Sequence, residues 1–508
     1  MNYQLPRTTL LALPLAALAT GCSTSPREAL VETPNIVFIF ADDHCFNCLG
    51  SSELDNIKTP NLDRLMESGT HFTHAFNQGG WNGAISAASR AMMITGENMW
   101  TAAKHSNYIP ELQQPKNWPT DVAQLESADK VPFGTTWPEY MKAAGYDTYI
   151  TGKWHVDIPA AEVFDHAKNI RGGMPQQHKD CYNRVFLEGV EDAWQPYDTK
   201  YGGFWKGGKH WSEIVKDDAL EYIDMVKESD NPFFMYLAFN APHDPRQAPK
   251  EYVDMYPLDE VSVPENFLPL YPYKDSIGCW NTLRDERLAP FPRTERSVKV
   301  NRQEYYALIS HMDTQIGIIL DALEATGKLD KTYIMFTADH GISIGDHGFI
   351  GKQNMYDAAM RVPLFLAGPG IPKGQKVDEL VYLQDVMATA LDLSGSCGVN
   401  AVDFQSLIPL ALGEEDAVAR EAVYGAYTGQ QRSVRDKEFK MIIYPKYDLV
   451  RLFNVVDDPS EMNDLASNPE YKAKMLEMFS KFKTLQTEMK DPLNVEPHFN
   501  RFLLSVAN

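Results

Sequence analysis

Four short apolar runs constrain this chain more than any other feature, because each stops abruptly at charged residues. Asn35–Ala41 (NIVFIFA) runs into Asp42-Asp43, and Tyr146–Thr151 (YDTYIT) into Gly152-Lys153-Trp154-His155. Pro232–Asn240 (PFFMYLAFN) runs into Pro242-His243-Asp244-Pro245, and Thr332–Thr337 (TYIMFT) into Asp339-His340-Gly341. Runs of this kind, without polar alternation, read as strands buried on both faces. Helical patterns lie between them. The clearest is Glu304–Gly327, with Leu308, Ile309, Met312, Ile316, Ile319, Leu320 and Leu323 at helical spacing. Thr59-Pro60-Asn61 opens a shorter one over Leu62–Ser68, closed by Gly69. Val362–Leu366 (VPLFL) is a further strand candidate, whose Pro marks an edge or a strand start. The expected class is α/β. Ligands of parallel sheets bind at the carboxyl ends of the strands. If the four strands are parallel, all four polar clusters arrive at one rim. Singly, each cluster has a duller explanation as a turn cap, a solvated turn or a rigid loop.

After about Leu412 the texture changes. Val423–Tyr427, Arg432–Tyr444 and Leu449–Val456 read as successive antiparallel strands, and Pro469–Met489 as a polar amphipathic helix. This predicts a main domain over 34–412 and a small α+β module with an antiparallel sheet over 413–508. Two long excursions lack a regular pattern: Ala160–Trp211, rich in Gly and Trp, and Asp259–Pro292, rich in Pro and Tyr. Such loops serve a site or wrap a surface.

At the start, the apolar Leu10–Leu18 is too short to span a bilayer and fits the core of a secretory signal. Ala19-Thr20-Gly21-Cys22 ends it and resembles a bacterial lipobox, although Ala19 stands where Leu or Val is usual. Residues 1–21 are expected to be a lipoprotein signal peptide, Cys22 the lipidated residue, and 22–33 a tether. A plain signal peptide is the alternative. The expected place is outside the cytoplasm of a bacterium, lipid-anchored in the outer membrane or periplasmic. Cys45 and Cys48 have no second pair at zinc spacing; they read as small packing residues, or else as an exported disulfide.

A formal net charge of −22 argues against nucleic acid as a partner. It also means that an anionic substrate must be held by a local cation cluster. Asp42, Asp43 and Asp339, brought together without a cation, would repel one another. A hard divalent metal resolves this, and carboxylates suit Ca²⁺ or Mg²⁺ better than zinc. His340 would be a less usual ligand for such an ion. Arg90, Lys153, His155, His243 and Lys352 supply basic groups for a sulfate or phosphate ester. The remaining polar feature is Gly79–Gly96 (GGWNGAISAASRAMMITG). A helix starting near Ser86 would put Ser89 and Arg90 on its face, beside free N–H groups that attract anions. The plainer reading is a Ser-capped helix.

Ser86-Ala87-Ala88-Ser89-Arg90 with Thr95-Gly96 resembles the signature of the formylglycine-dependent (type I) sulfatases, in its Ser form. Ala41-Asp42-Asp43, Gly152-Lys153-Trp154-His155, Ala241-Pro242-His243 and Thr337-Ala338-Asp339-His340-Gly341 resemble its other blocks in order, as do His347-Gly348 and Lys352. Thr59-Pro60-Asn61-Leu62-Asp63, Arg361-Val362-Pro363, Gly368-Pro369-Gly370 and Leu452-Phe453-Asn454 also match. The resemblance implies an alkaline-phosphatase-like fold, a large mixed, mostly parallel sheet flanked by helices, with a small C-terminal domain. It implies that Ser86 is oxidised to formylglycine (3-oxoalanine), and that Asp42, Asp43, Asp339, His340 and residue 86 bind one Ca²⁺, in preference to Mg²⁺. An oxygen of the aldehyde hydrate would attack sulfur, with Lys153 and Lys352 neutralising the sulfuryl oxygens. His243 with Lys352 would assist the leaving alcohol, Arg90 would steady residue 86, and His155 would be the base that regenerates the aldehyde. Ser rather than Cys at position 86 implies an anaerobic radical-SAM maturase.

The substrate so implied is a sulfated carbohydrate, a poly- or oligosaccharide. Export, the tether, Trp194, Trp205, Trp211 and the aromatic Asp259–Pro292 stretch favour a sugar-binding cleft, though any one of these aromatics reads equally as packing. His178, His210 and Arg246 are further candidates for substrate contact. Two other readings stand beside this one. The first is a phosphatase or phosphodiesterase of the same superfold using unmodified Ser86. The second is an inactive glycan-binding lipoprotein.

Overall fold

The computed structural model describes residues 33–52, 57–105, 134–173, 178–190 and 192–506, together with 27, 30 and 54. The expected signal peptide, Cys22 and most of the tether lie outside the described residues. The strand Asn35–Ala41 is the centre of the main sheet and is buried along its whole length. It lies between Phe233–Ala238 and Thr332–Ala338, parallel to both, and Asp147–Lys153 continues the parallel set beyond Phe233–Ala238. The four runs that end in charge therefore point the same way. Burial on both faces is why they carry no polar alternation.

The full order across this sheet is Arg361–Val362, Gly69–Phe76, Leu364–Ala367, Thr332–Ala338, Asn35–Ala41, Phe233–Ala238, Asp147–Lys153, His166–Arg171; Gln375–Tyr382 also pairs with Gly69–Phe76. Leu364–Ala367 runs antiparallel to Thr332–Ala338, so the sheet is mixed. The expected strand Val362–Leu366 is split at Pro363, which has no N–H to offer a ladder. The long helix spans Glu295–Ala325, starting earlier than its apolar period suggests. Its true start is capped by Thr294, whose hydroxyl accepts from Ser297 N–H at 3.1 Å. It packs against the helix Trp211–Lys227.

The C-terminal strands form a second sheet in the order Leu449–Asn454, Phe439–Tyr444, Gln431–Arg435, Val423–Tyr427, with antiparallel pairing throughout. The run Arg432–Tyr444 is two strands, because Asp436 turns the chain: its carboxylate accepts from Glu438 N–H at 2.9 Å and Phe439 N–H at 2.7 Å. Met478, Phe482 and Phe499 pack under this sheet from the helices Lys472–Glu488 and Glu496–Val506. A fifth strand, Gly79–Gly80, comes from the main domain's sequence and pairs parallel with Ala426–Tyr427. Gly79 has φ +97°, and a side chain there would overlap the carbonyl of Ala426. Among the described residues no helix is long and apolar enough to cross a membrane. Cys45, Cys48, Cys181 and Cys279 are buried free thiols and Cys397 an exposed one.

Candidate active site

The rim is stitched at the strand ends. Asp42 N–H donates to Ala241 C=O at 3.0 Å, and Asp339 N–H to Ala41 C=O at 3.2 Å. These bonds bring Asp42, Asp43, Asp339 and His340 together, all fully or almost fully buried, with their ligating atoms within 4.8 Å of one another. Gly152 lets Lys153 enter from the neighbouring strand: at φ +94° it packs on the carbonyl of Ala238, where a Cβ would not fit. Asp43 itself has φ +66°, and its carbonyl is held by Tyr305 OH at 2.6 Å. A branchless acidic residue tolerates that conformation better than most.

Ser86 lies in the first turn of the helix Ile85–Thr95. It is not the cap; Ala84 is, and the Ser86 hydroxyl turns to the rim instead. Its Oγ donates to Asp42 Oδ1 at 3.2 Å and lies 2.9 Å from His340 Nε2. His340 Nδ1 is 2.7 Å from Gly341 C=O, an acceptor, so Nδ1 carries the hydrogen and the Nε2 lone pair faces the carboxylates. Arg90, on the same helix, donates from Nε to Asp339 Oδ2 at 3.0 Å and from Nη1 to Lys153 C=O at 2.9 Å. Ser89 takes no part: its Oγ accepts from Gln384 at 3.4 Å, away from the rim.

Two ammonium groups complete the charge pattern. Lys153 Nζ binds Asp42 Oδ2. Lys352 Nζ donates to both oxygens of Asp43 at 2.7 and 3.0 Å and lies 3.1 Å from His243 Nε2. Asp43, His243 and Asp244 also lie close enough together to hold an ion, but the Lys352 ammonium fills the space between Asp43 and His243. The donor set is thus one cation site with a lysine beside it.

Burial, with the Asp339 charge added, pushes the Asp42 carboxyl up to about 6, only partly offset by Lys153 and His243. Asp43 and Asp339 are buried too, yet are held below the usual carboxylate range. His243, Lys352 and His340 do this for Asp43, and His340, Arg90 and Lys153 for Asp339. Burial, then Lys153 and Arg90, lowers His155 to about 3, so its imidazole is neutral at ordinary pH. Burial likewise lowers His340 to about 4.

A cavity of about 480 Å³ opens over Ser86. Lys153, His155, His243 and Lys352 form its floor, and Trp280, Thr282, Leu283, Arg284 and Asp285 its outer wall with Gln353. The wall comes from the Asp259–Pro292 excursion. The lack of pattern there leaves open whether the loop serves a site or wraps a surface, and gives no residue to choose.

His178, His210 and Arg246, expected from the sequence as substrate contacts, are not among the residues lining this cavity. His210 is buried at the start of the helix Trp211–Lys227, with Nδ1 accepting from Ser212 N–H at 3.1 Å and Nε2 at 2.8 Å from Gln247 C=O. Arg246 is buried over the Tyr305 ring and donates to Asn301 at 2.9 Å. His178 stacks on Tyr201 and accepts from Asp180 N–H at 3.3 Å. Trp194 packs on Tyr201, and Trp205 with Trp211 on each other and on Arg171. His347 stacks on Tyr356 with ring centres 3.8 Å apart.

A family model described as Sulfatase matches residues 34–396, and one described as N-sulphoglucosamine sulphohydrolase, C-terminal, matches residues 345–488. An N-acetylglucosamine-6-O-sulfatase of Bacteroides thetaiotaomicron is 25% identical, over 95% of this chain and 91% of that protein. A solved protein in complex with its substrate D-glucosamine-2-N,6-O-disulfate shares the fold with a TM-score of 0.67 and 22% identity, over 91% of this chain and 99% of that one. A phosphonate monoester hydrolase of Agrobacterium radiobacter also has a TM-score of 0.67, at 20% identity, over 90% of this chain and 96% of that one.

Proposed function

The chain belongs to the sulfatase family and is a hydrolase, and from that premise we propose that it removes sulfate from a sulfated carbohydrate with residue 86 as nucleophile, after oxidation of Ser86 to formylglycine. The observation that carries this reading is the seat of Ser86, whose hydroxyl stands between the carboxylate cluster and the basic floor of the cavity. A simple serine ester of sulfate has no easy second step; an aldehyde hydrate supplies a second oxygen through which sulfate can be expelled without water attacking sulfur again. The oxidation would be the work of a radical-SAM maturase.

Three carboxylates and an imidazole lone pair fit a hard divalent cation. In this reading Asp42, Asp43, Asp339, His340 and residue 86 hold one Ca²⁺, which supplies positive charge to the sulfuryl oxygens when bound. Lys153 and Lys352, each already on a ligand carboxylate, add charge from either side. Arg90 fixes Asp339 and so the ion's position relative to residue 86. Lys352 Nζ, 3.1 Å from the His243 Nε2 acceptor, gives a proton to the leaving oxygen in this reading. His155, neutral and beside the floor, accepts the proton that restores the aldehyde.

Acid should weaken metal binding. In the metal-free protein Asp42 takes up a proton near pH 6, so protons compete with the cation below that pH. Calorimetric titration with Ca²⁺ should show affinity falling by roughly tenfold between pH 7 and pH 5. An affinity that does not change over this range would remove Asp42 from the ligand set.

The carbohydrate part draws on what the relative and the fold neighbour act on, both of them sulfated glucosamine derivatives by name. Trp280 on the cavity wall offers a flat apolar face to a sugar ring. Lipidation of Cys22 would tether the enzyme in the outer membrane or the periplasm, and the proposed division remains 34–412 and 413–508. The fold also houses a phosphonate hydrolase. The Lys352 ammonium, standing where a second metal would go, favours sulfate over two-metal phosphoryl chemistry. Mass spectrometry of the peptide containing residue 86, from protein made in its native host, is expected to show loss of two hydrogens relative to serine. An intact serine with phosphate release and no sulfate release would replace this reading with the phosphatase one.

A further inference from the structure

We propose that Arg284 and Asp285 are positioning residues: they hold the His243 Nε2 lone pair against the Lys352 ammonium, so that this proton donor is fixed for the leaving oxygen and esters of poorly acidic alcohols can be cleaved. The inference rests on the sulfatase reading above. His243 Nδ1 lies 2.8 Å from the carbonyl and 2.9 Å from the carboxylate of Asp244, both acceptors. Nδ1 therefore carries the hydrogen and Nε2 is the acceptor. Two cationic donors converge on Nε2: Lys352 Nζ at 3.1 Å and Arg284 Nη2 at 3.2 Å.

Arg284 is itself held in plane. Its Nε donates to Asp285 Oδ1 at 2.7 Å, and its Nη2 reaches the same oxygen. Asp285 is buried, and its other oxygen accepts from Gln353 Nε2 at 2.9 Å. Gln353 Oε1 accepts in turn from the Lys352 backbone N–H at 3.1 Å. A closed circuit runs from His243 through Arg284, Asp285, Gln353 and Lys352 back to His243, and it fixes the spacing of both donors on Nε2. Tyr182 OH anchors the far side by donating to Asp244 Oδ2 at 2.6 Å.

Arg284 lines the cavity with about a third of its side chain open, which also fits a direct grip on the substrate's anion. The charge balance argues otherwise. Asp285 neutralises the guanidinium at contact distance, and a second carboxylate, Asp244, lies 3.5 Å away. The guanidinium's Nε and Nη2 are thus engaged by Asp285 and by His243 of the site itself. Its geometry is better spent on the imidazole.

The chemistry makes this testable. As an oxygen of residue 86 bonds to sulfur, the bond from sulfur to the leaving oxygen breaks; that oxygen keeps the electron pair and takes a proton from the Lys352 ammonium, which is left as a neutral amine against His243 Nε2. A sugar alkoxide needs that proton, whereas an activated phenolate leaves without it. Matured enzyme and the variants Arg284→Ala, Arg284→Lys and Asp285→Asn are assayed on sulfate esters running from an activated aryl sulfate to a sugar sulfate. With Arg284→Ala, kcat/KM on the activated ester should change by less than about threefold, and on the sugar ester fall by roughly a hundredfold, mostly in kcat. Arg284→Lys keeps the charge without the planar fork and should fall between. The readout is a ratio between two esters on one preparation, so a variant that folds poorly still reports. Equal losses on all esters in the three variants would overturn the positioning role and leave the sulfatase reading standing. A parent enzyme that releases sulfate from no ester would instead overturn that reading, and this inference with it.

Discussion

Ser86→Ala is expected to abolish sulfate release, by about 10⁵-fold or more, the scale seen when a nucleophile is deleted. The loss should come without collapse of the fold. Ser86 is buried, so its removal forfeits contacts with Asp42 and His340 but leaves only a small void. Alanine is also a better helix former than serine in the first turn of Ile85–Thr95. Thermal unfolding of the variant should therefore stay close to that of the parent while sulfate release disappears. Substantial residual turnover by a well-folded Ser86→Ala protein would mean that another group attacks sulfur, and the proposed mechanism would fall.

Asp339→Ala should be costly in both stability and activity. Asp339 and Arg90 are wholly buried and joined at 3.0 Å. Removing the carboxylate leaves the guanidinium in the core with its backbone partner Lys153 C=O and the ring of Phe40. Breaking a buried pair on one side costs about 3–5 kcal/mol. The midpoint of urea unfolding should fall accordingly, and the proposed cation would lose a ligand. Adding Arg90→Met to Asp339→Ala should restore part of the stability and none of the activity, because the stranded charge goes but the site stays broken. A single variant as stable as the parent would show that the pair does not hold the rim together.

The parallel strands were legible because burial on both faces leaves continuous apolar runs, and because each run ended in charge. The same contrast located Asp42, Asp43, Lys153, His243, Asp339 and His340 at one rim before any geometry was known. Arg284, Asp285 and Gln353 were not legible as a group. Their relation is a circuit of side-chain contacts closed through His243 and Lys352, across long loops with no period to read. His210 shows what residue type alone does not tell: a histidine at a helix start can satisfy backbone groups on both sides, and it does so here, with Ser212 and Gln247. The turn at Asp436 was hidden for a similar reason, since a carboxylate accepting two backbone N–H groups bends the chain without Gly or Pro.

The short strand Gly79–Gly80 has a consequence in time. Its partner in the second sheet, Ala426–Tyr427, is encoded far downstream. At roughly 5–20 residues per second, the ribosome delivers that partner on the order of tens of seconds after Ser86 has emerged. Over that interval Gly79–Gly80, just ahead of Ser86, lacks the strand it pairs with. The late strand is thus a latch: the pairing just ahead of Ser86 closes only when Ala426–Tyr427 arrives.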